Sequence, residues 1–445
     1  MKIDWKLCAA KLQVASMSLV LAFLIVGAEA LAIPVAQVKK CRALETGVAK
    51  ALGLGSGLAI IPEGIRFGTE ILHYSGDPVV QFLAISDRGP NVSGPKVPSG
   101  STLVPSKVFA KPDYAPRLGV ISCHGGKYEV SSEFELRTAS GKRLGGLPPI
   151  KLTDLPKLTP LAGELLEESL TPDLQRIAPQ GDGVDPEAVA IAKDGSIWIA
   201  EEYGPSLLHV DAKGKLMHRW YPGEGLPLWL RTMQPNRGFE GIAILPDSGD
   251  IILAMQSARV ELTGTALGFI DILRLSPEGK YLGHYRWPLQ MKSPADFGEV
   301  KIGDIWAISS DSLLAIRSFR SSVTIERIDG LKPFNRTGDD EVPADSQEGN
   351  FKLVSSHTLV NLSGLGWKKE KTEGLTVLPD GKTIVVMNDD DFSVKGRLDI
   401  KTEETILRED GLLQMQGPVK IEIKEKKKAS GPELWFIELE TAIAG

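Results

Sequence analysis

The stretch from Asp185 to Pro205 reads DPEAVAIAKDGSIWIAEEYGP. Ala188–Ala192 and Ile197–Ala200 are short runs of small, apolar and β-branched residues. Lys193-Asp194-Gly195-Ser196 between them carries an Asp-Gly pair, which tolerates positive φ, so the stretch reads as a β-hairpin. In an antiparallel pair the entrance of the first strand lies beside the exit of the second. Glu187, Glu201 and Glu202 should therefore gather at the end away from the turn. For one hairpin alone this is unremarkable, because carboxylates at strand ends are mostly solvated.

The pattern recurs along the chain. FEGIAILPDSGDIILAMQS starts at Phe239, GDIWAISSDSLLAIRSF at Gly303 and TEGLTVLPDGKTIVVMNDDDF at Thr372. GSGLAIIPEGIRF starts at Gly55 and continues, after an insertion, as VVQFLAISDRGPN. The aligned leading residues are Ser56, Glu187, Glu240, Asp304 and Glu373. The trailing clusters are Ser86-Asp87-Arg88, Glu201-Glu202-Tyr203, Gln256-Ser257, Arg317-Ser318 and Asn388-Asp389-Asp390. Further strand pairs lie between the repeats, such as SLLHVDAKGKLMHRWY from Ser206, so each unit holds about four strands. Repeated four-stranded units predict an all-β chain folded as a β-propeller. Five repeats are visible, and the expected total is six blades. The divergent stretch Val120–Thr171 could supply the sixth, or the segment after the N-terminal leader could complete the last blade. A tandem of β-sandwiches is the alternative, and the even hairpin spacing disfavours it.

If the first strand of each unit lines a central channel, the leading and trailing polar groups collect at one mouth of it. Carboxylates crowded there repel unless a cation, a substrate or bound protons compensate. Oxygen donors without paired Cys or His point to a hard cation, calcium before magnesium. The candidate ligands are Asp87, Glu187, Glu240, Glu373, Asn388 and Asp389, with Asn388–Asp391 the densest oxygen-donor stretch. Asn and Asp also favour turns for their own reasons, which is the competing account of that stretch. Arg88 and Arg237 each precede a glycine, and Arg317 ends a strand at the same rim. Their guanidinium forks suit an anionic substrate, or else each neutralises a neighbouring acid. No G-x-S-x-G elbow or H-E-x-x-H motif is present, and the six histidines show no ligand spacing.

Composition sets the frame. The chain has 445 residues, 42% hydrophobic and 24% charged, an ordinary globular balance. A formal net charge of −6 argues against a general nucleic-acid binder. Lys2, Lys6 and Lys11, the apolar run Val14–Val26 and Ala28-Glu29-Ala30 form the pattern of a secretory signal peptide over 1–30. An uncleaved anchor is the alternative. The expectation is an exported monomer, periplasmic or extracellular, with one domain over 31–445 and no membrane span after cleavage. Cys41 and Cys123 then allow one disulfide in an oxidising compartment.

The stretches SDRGPN, DPEAVAIAKDGSIWIAEEYGPSLLHVDAKGKL, NRGFEGIAILPD and TEGLTVLPDGKTIVVMNDDDF resemble the phytase-like domain family, also described as esterase-like activity of phytase. The resemblance runs from Gly53 to Leu439. It implies a secreted or periplasmic propeller and hydrolysis of phosphoesters or esters, by analogy with calcium-dependent propeller phytases. Two departures stand out. Arg317-Ser318 replaces the family's Glu-Arg pair after LLAI, and the family's NDND is NDDD here, adding a carboxylate at Asp390.

Together these readings predict a calcium-dependent phosphoesterase acting on a small anionic phosphate ester. Glu187, Glu240, Glu373, Asn388 and Asp389 would hold metal, with Asp87 beside them. Glu201 or Glu202 would serve as general base, with Glu240 also in the catalytic set. Arg88, Arg237 and Arg317 would bind the anion. Two alternatives stay open: a non-enzymatic propeller binding a ligand or protein, favoured by Arg317, and a metal-dependent lactonase or carboxylesterase.

Overall fold

The computed structural model describes residues 32–43, 53–65, 67, 80–99, 102–149, 167–260, 264–334, 351–398, 405–407, 413–415, 421–425 and 432–443. The expected signal peptide lies outside them. Most of these residues are strands, and the strands are arranged as blades. The opening hairpin pairs Pro186–Ile191 with Ile197–Glu201, and Ser206–Val210 and Leu216–Pro222 follow outward in order. Its turn is built as the residues dictate. Gly195 takes φ +82°, and Asp194 Oδ1 accepts from the Ser196 amide at 2.9 Å. The same chemistry recurs at Asp380 and Gly381, where Asp380 accepts from the amides of Lys382 and Thr383.

Among the described residues there are five such blades. Their innermost strands are Leu54–Ile60, Pro186–Ile191, Phe239–Ile244, Val300–Ala307 and Thr372–Val377. Each packs against the next, and the last against the first, so the ring closes. The expected sixth blade is not among them. Arg117–His124 and Lys127–Glu135, from the stretch that was to supply it, are the third and fourth strands of the first blade. The other expectation holds: Val35–Ala43 completes the last blade by pairing antiparallel with Glu433–Leu439.

The core is distributed between blades. Leu83, Ile85 and Leu118 of the first meet Val189, Ile197 and Ile199 of the second. Leu314, Ile316 and Ile325 of the fourth meet Leu375, Ile384 and Trp435 of the fifth. Burying each such side chain contributes about 1.5–3 kcal/mol, so the ring holds by many equal contacts between neighbours. The fifth and first blades meet through Val385, Met387, Leu58 and Phe82. Among the described residues no helix is long and apolar enough to cross a membrane.

Candidate metal centre

The five leading residues share one backbone feature. In the second blade Pro186 pairs with Glu201 and Ala188 with Ala200, leaving Glu187 in a register shift. Glu240 lies in the same shift in the third blade and Glu373 in the fifth. The first blade shifts over Gly55-Ser56 and the fourth over Gly303-Asp304. A β-bulge leaves its extra residue out of the ladder and re-aims its side chain. These bulges lie on the innermost strands, and they turn three glutamates toward one another. One carboxylate oxygen from each of Glu187, Glu240 and Glu373 lies within 4.8 Å of the other two. A second group under the same limit comprises Asp185, Glu187 and Glu202, with Glu187 shared.

All five acids are buried, Glu240 at 3% exposure and Asp185 at 2%. Glu240 Oε2 and Glu373 Oε2 have no hydrogen-bond partner. A buried carboxylate oxygen without a donor is costly. Burial raises Glu187 well above the usual carboxylate range, and Asp185, Glu240 and Glu373 raise it further. Burial likewise pushes Glu240 and Glu373 well up; Glu202 adds to both, while Lys371 opposes the rise at Glu373. Glu202 is pushed up to about 7, by burial first and Asp185 second, with Lys301, Arg88 and Arg237 opposing. Hard oxygen donors, converging and short of partners, suit a divalent cation; the residues present fit one.

The strand-end pair divides its labour. Adjacent residues face opposite ways, and only Glu202 joins the cluster, held by the Gln256 side-chain amide. Glu201 faces its own blade, accepting from Ser206 Oγ at 2.7 Å with Arg219 at 3.7 Å. Burial lifts Glu201 to about 7 against the pull of Arg219. Asn388 is placed like Glu201 and is also engaged: its Oδ1 accepts from the Glu433 amide and its Nδ2 donates to the Asp389 carbonyl. Asp389 lies beside the cluster, pushed up to about 6 by burial against the pull of Lys371, whose Nζ is 3.3 Å away. Burial, then Asp389 and Asp185, also raise Asp87, whose Oδ1 caps the Gly89 amide at 2.7 Å. The extra carboxylate, Asp390, accepts from Ser393 Oγ and belongs to neither acidic group.

The arginines separate by environment. Arg88 is buried between Asp185 at 3.2 Å and Glu167 at 3.1 Å, the neutralising arrangement that was the alternative for it. Arg237 donates to Gln256 Oε1 at 2.6 Å and so touches the residue that holds Glu202. Arg317 is not brought to the cluster. It pairs with Ile302 as Glu201 pairs with Pro186. Its guanidinium donates to Met291 sulfur, and Arg317 also lines a cavity of about 140 Å³ with Trp287, Gln290, Glu326 and His357.

Three residues escaped sequence reasoning: Asp185, Lys301 and Lys371. Asp185 sits two residues before Glu187, a spacing that could have flagged it. Lys371 precedes its strand as Asp185 does, Lys301 is the second residue of Val300–Ala307, and neither lysine carries a signal of its own.

The sequence from 74 to 392 matches the family described as phytase-like, esterase-like activity of phytase. The chain belongs to the phytase-like family. This phytase-like chain matches no curated protein in sequence. Its likenesses among solved structures are faint. A gluconolactonase from Xanthomonas campestris shares 12% identity, covering 94% of this chain and 100% of its own, at a TM-score of 0.29. The WD40 repeats of RRP9 share 8%, covering 92% and 99%, at 0.33. A Bacteroides caccae protein of unknown function shares 12%, covering 67% of this chain and 66% of its own, at 0.28. The propeller assignment rests on the strand topology described above.

Proposed function

We propose that this phytase-like protein is an exported, calcium-dependent hydrolase of small phosphate esters, with its site at the mouth of the propeller channel. The observation that carries the reading is the triad of Glu187, Glu240 and Glu373, buried and converging, with two oxygens lacking any donor. Those three would hold a first cation, and Asp185 and Glu202 with Glu187 would complete a second set. A bound calcium supplies Lewis acidity toward a phosphoryl oxygen and acidifies water. The rest falls to the chain. Glu202, steadied by Gln256 beside the triad, would take the proton when the first cation alone is bound, its carboxyl raised there by burial and by Asp185. Arg237 and the rim lysines Lys301 and Lys371 offer positive charge to an anionic ester beside the acids. The Cys41–Cys123 disulfide supports an oxidising compartment, and thus export.

The test is turnover of a panel of phosphate monoesters, carboxylate esters and lactones by the mature protein, with calcium and then with chelator. Chelator-sensitive phosphate release is expected. Release of carboxylate alone would make the protein a lactonase or esterase, and inertness with retained cation binding would make it a binding propeller.

A further inference from the structure

Asp304 occupies the fourth blade's bulge, yet it does not join the acids. Its carboxylate is 1% exposed and spends both oxygens on backbone amides. Oδ1 accepts from Ile305 at 2.8 Å and from Ile242 at 3.4 Å, and Oδ2 accepts from Leu375 at 3.2 Å. The Leu58 amide also donates to it. These donors belong to the innermost strands of four different blades, so Asp304 lies on the channel axis. The innermost strand of each blade is a sheet edge, and its amides on the channel side have no ladder partner. Asp304 gives such amides one. The spacing is the informative part: Ile242 is two residues after Glu240, Leu375 two after Glu373, and Leu58 two after Ser56. Each bond therefore fixes a strand just beyond its bulge.

We propose that Asp304 is a positioning residue for the cation centre: by bonding the amides that follow the bulges, it sets the separation of the Glu240 and Glu373 carboxylates. Four of the five bulge residues then divide into three ligands and one axial pin, and Ser56 is the fifth. A shorter side chain suits the pin, because Asp reaches backbone where Glu reaches into the mouth. The inference rests on the metal reading above, and the experiment separates the two. Residues that orient ligands typically change metal affinity by about 10–100-fold when replaced.

Calcium and magnesium chloride titrations of wild type, D304N and the double variant C41S/C123S would be read by calorimetry, with Tm for each. Hydrogen exchange of peptides containing Ile242 and Leu375 would be followed in parallel. In D304N an amide NH₂ replaces one of the two oxygens, so the backbone amides bonded to that oxygen lose their acceptor: Ile242 and Ile305 at Oδ1, or Leu375 at Oδ2. Expected is a calcium affinity lower by about 10–100-fold, with exchange at Ile242 or at Leu375, whichever loses its acceptor, at least about tenfold faster. The disulfide variant should lose Tm and keep its affinity, showing that lower stability alone does not loosen the site. D304N with wild-type affinity and unchanged exchange overturns the proposal. Should D304N fail to fold, D304E replaces it; its extra methylene displaces the oxygens while keeping the carboxyl group, and the same losses are expected. If wild type binds neither cation, the metal reading falls, and exchange alone judges the pin: faster exchange supports it and unchanged exchange overturns it.

Discussion

Glu187, Glu240 and Glu373 can each relieve their burial in only two ways, by keeping a proton or by sharing a cation. That choice gives the cation-free protein a signed pH dependence. The folded-state pKa of Glu202 is about 7, against an ordinary 4.5 for an exposed side chain. The folded state therefore holds protons that the unfolded state has released, and stability falls as pH rises from 4.5 through 7. Glu187, Glu240 and Glu373 shift in the same direction and steepen the fall. Denaturant melts in chelator from pH 4.5 to 8 should show the decline, and saturating calcium should flatten or reverse it. A flat profile in chelator would mean that the acids titrate normally. Removing one ligand charge is the complementary test. Glu187→Gln should weaken calcium binding by about 100-fold or more, beyond the range for residues that only orient ligands. Glu187 belongs to both acidic groups, so its loss should exceed that of Glu240→Gln in a two-site titration. Arg88 behaves differently, because it is itself buried and pairs with buried Asp185 and partly buried Glu167. Arg88→Ala strands Asp185 and Glu167 and should cost about 3–5 kcal/mol of stability by urea melts, while Lys fills the charge but not the fork.

At the scale of single elements, the hairpin from Asp185 to Pro205 was plain in its residues, and so was its alignment with four relatives. The bulges were not. A bulge is a relation between two strands, visible only when Pro186 is seen opposite Glu201 and Ala188 opposite Ala200. Without that register, Glu201 and Glu202 looked interchangeable, and only one of them faces the triad. For the same reason Arg317 read as a rim residue. Its place in the ladder matches Glu201, its guanidinium goes to Met291, and it lines a cavity with Trp287 of the third blade and Glu326 of the fourth. Arg317→Ala should therefore leave calcium affinity and turnover within about twofold of wild type, whereas Arg237→Ala, which loosens Gln256 and so Glu202, should depress both. A large loss with Arg317→Ala would place it in the anion site after all. Asp185 was missed because a residue before proline reads as a boundary, although its step of two from Glu187 puts both on one side.

On the scale of the whole molecule, ring closure decides whether the mouth exists at all. Carboxylates from the second, third and fifth blades converge only if the last blade is locked to the first. The repeat made this legible in outline: a chain whose five hairpins return to their start needs its two ends in one sheet. The count was harder, since the outer strands of the first blade diverge from the pattern and resembled material for a sixth. The lock itself is Val35–Ala43, which pairs with Glu433–Leu439 of the fifth blade and also runs parallel to the start of Lys127–Glu135 in the first. Cys41 on that strand is bonded to Cys123 of the first blade, 82 residues away in sequence. The disulfide thus closes the ring covalently at its one seam. Replacing both cysteines by serine should cost about 2–4 kcal/mol. The triad is held by bulges on inner strands, far from the outer seam in the order of each blade, so calcium affinity should persist in the folded variant. Melts with and without reductant, each with a calcium titration below the transition, check both halves. Loss of affinity together with stability would show instead that the seam, and not the bulges, holds the acids in place.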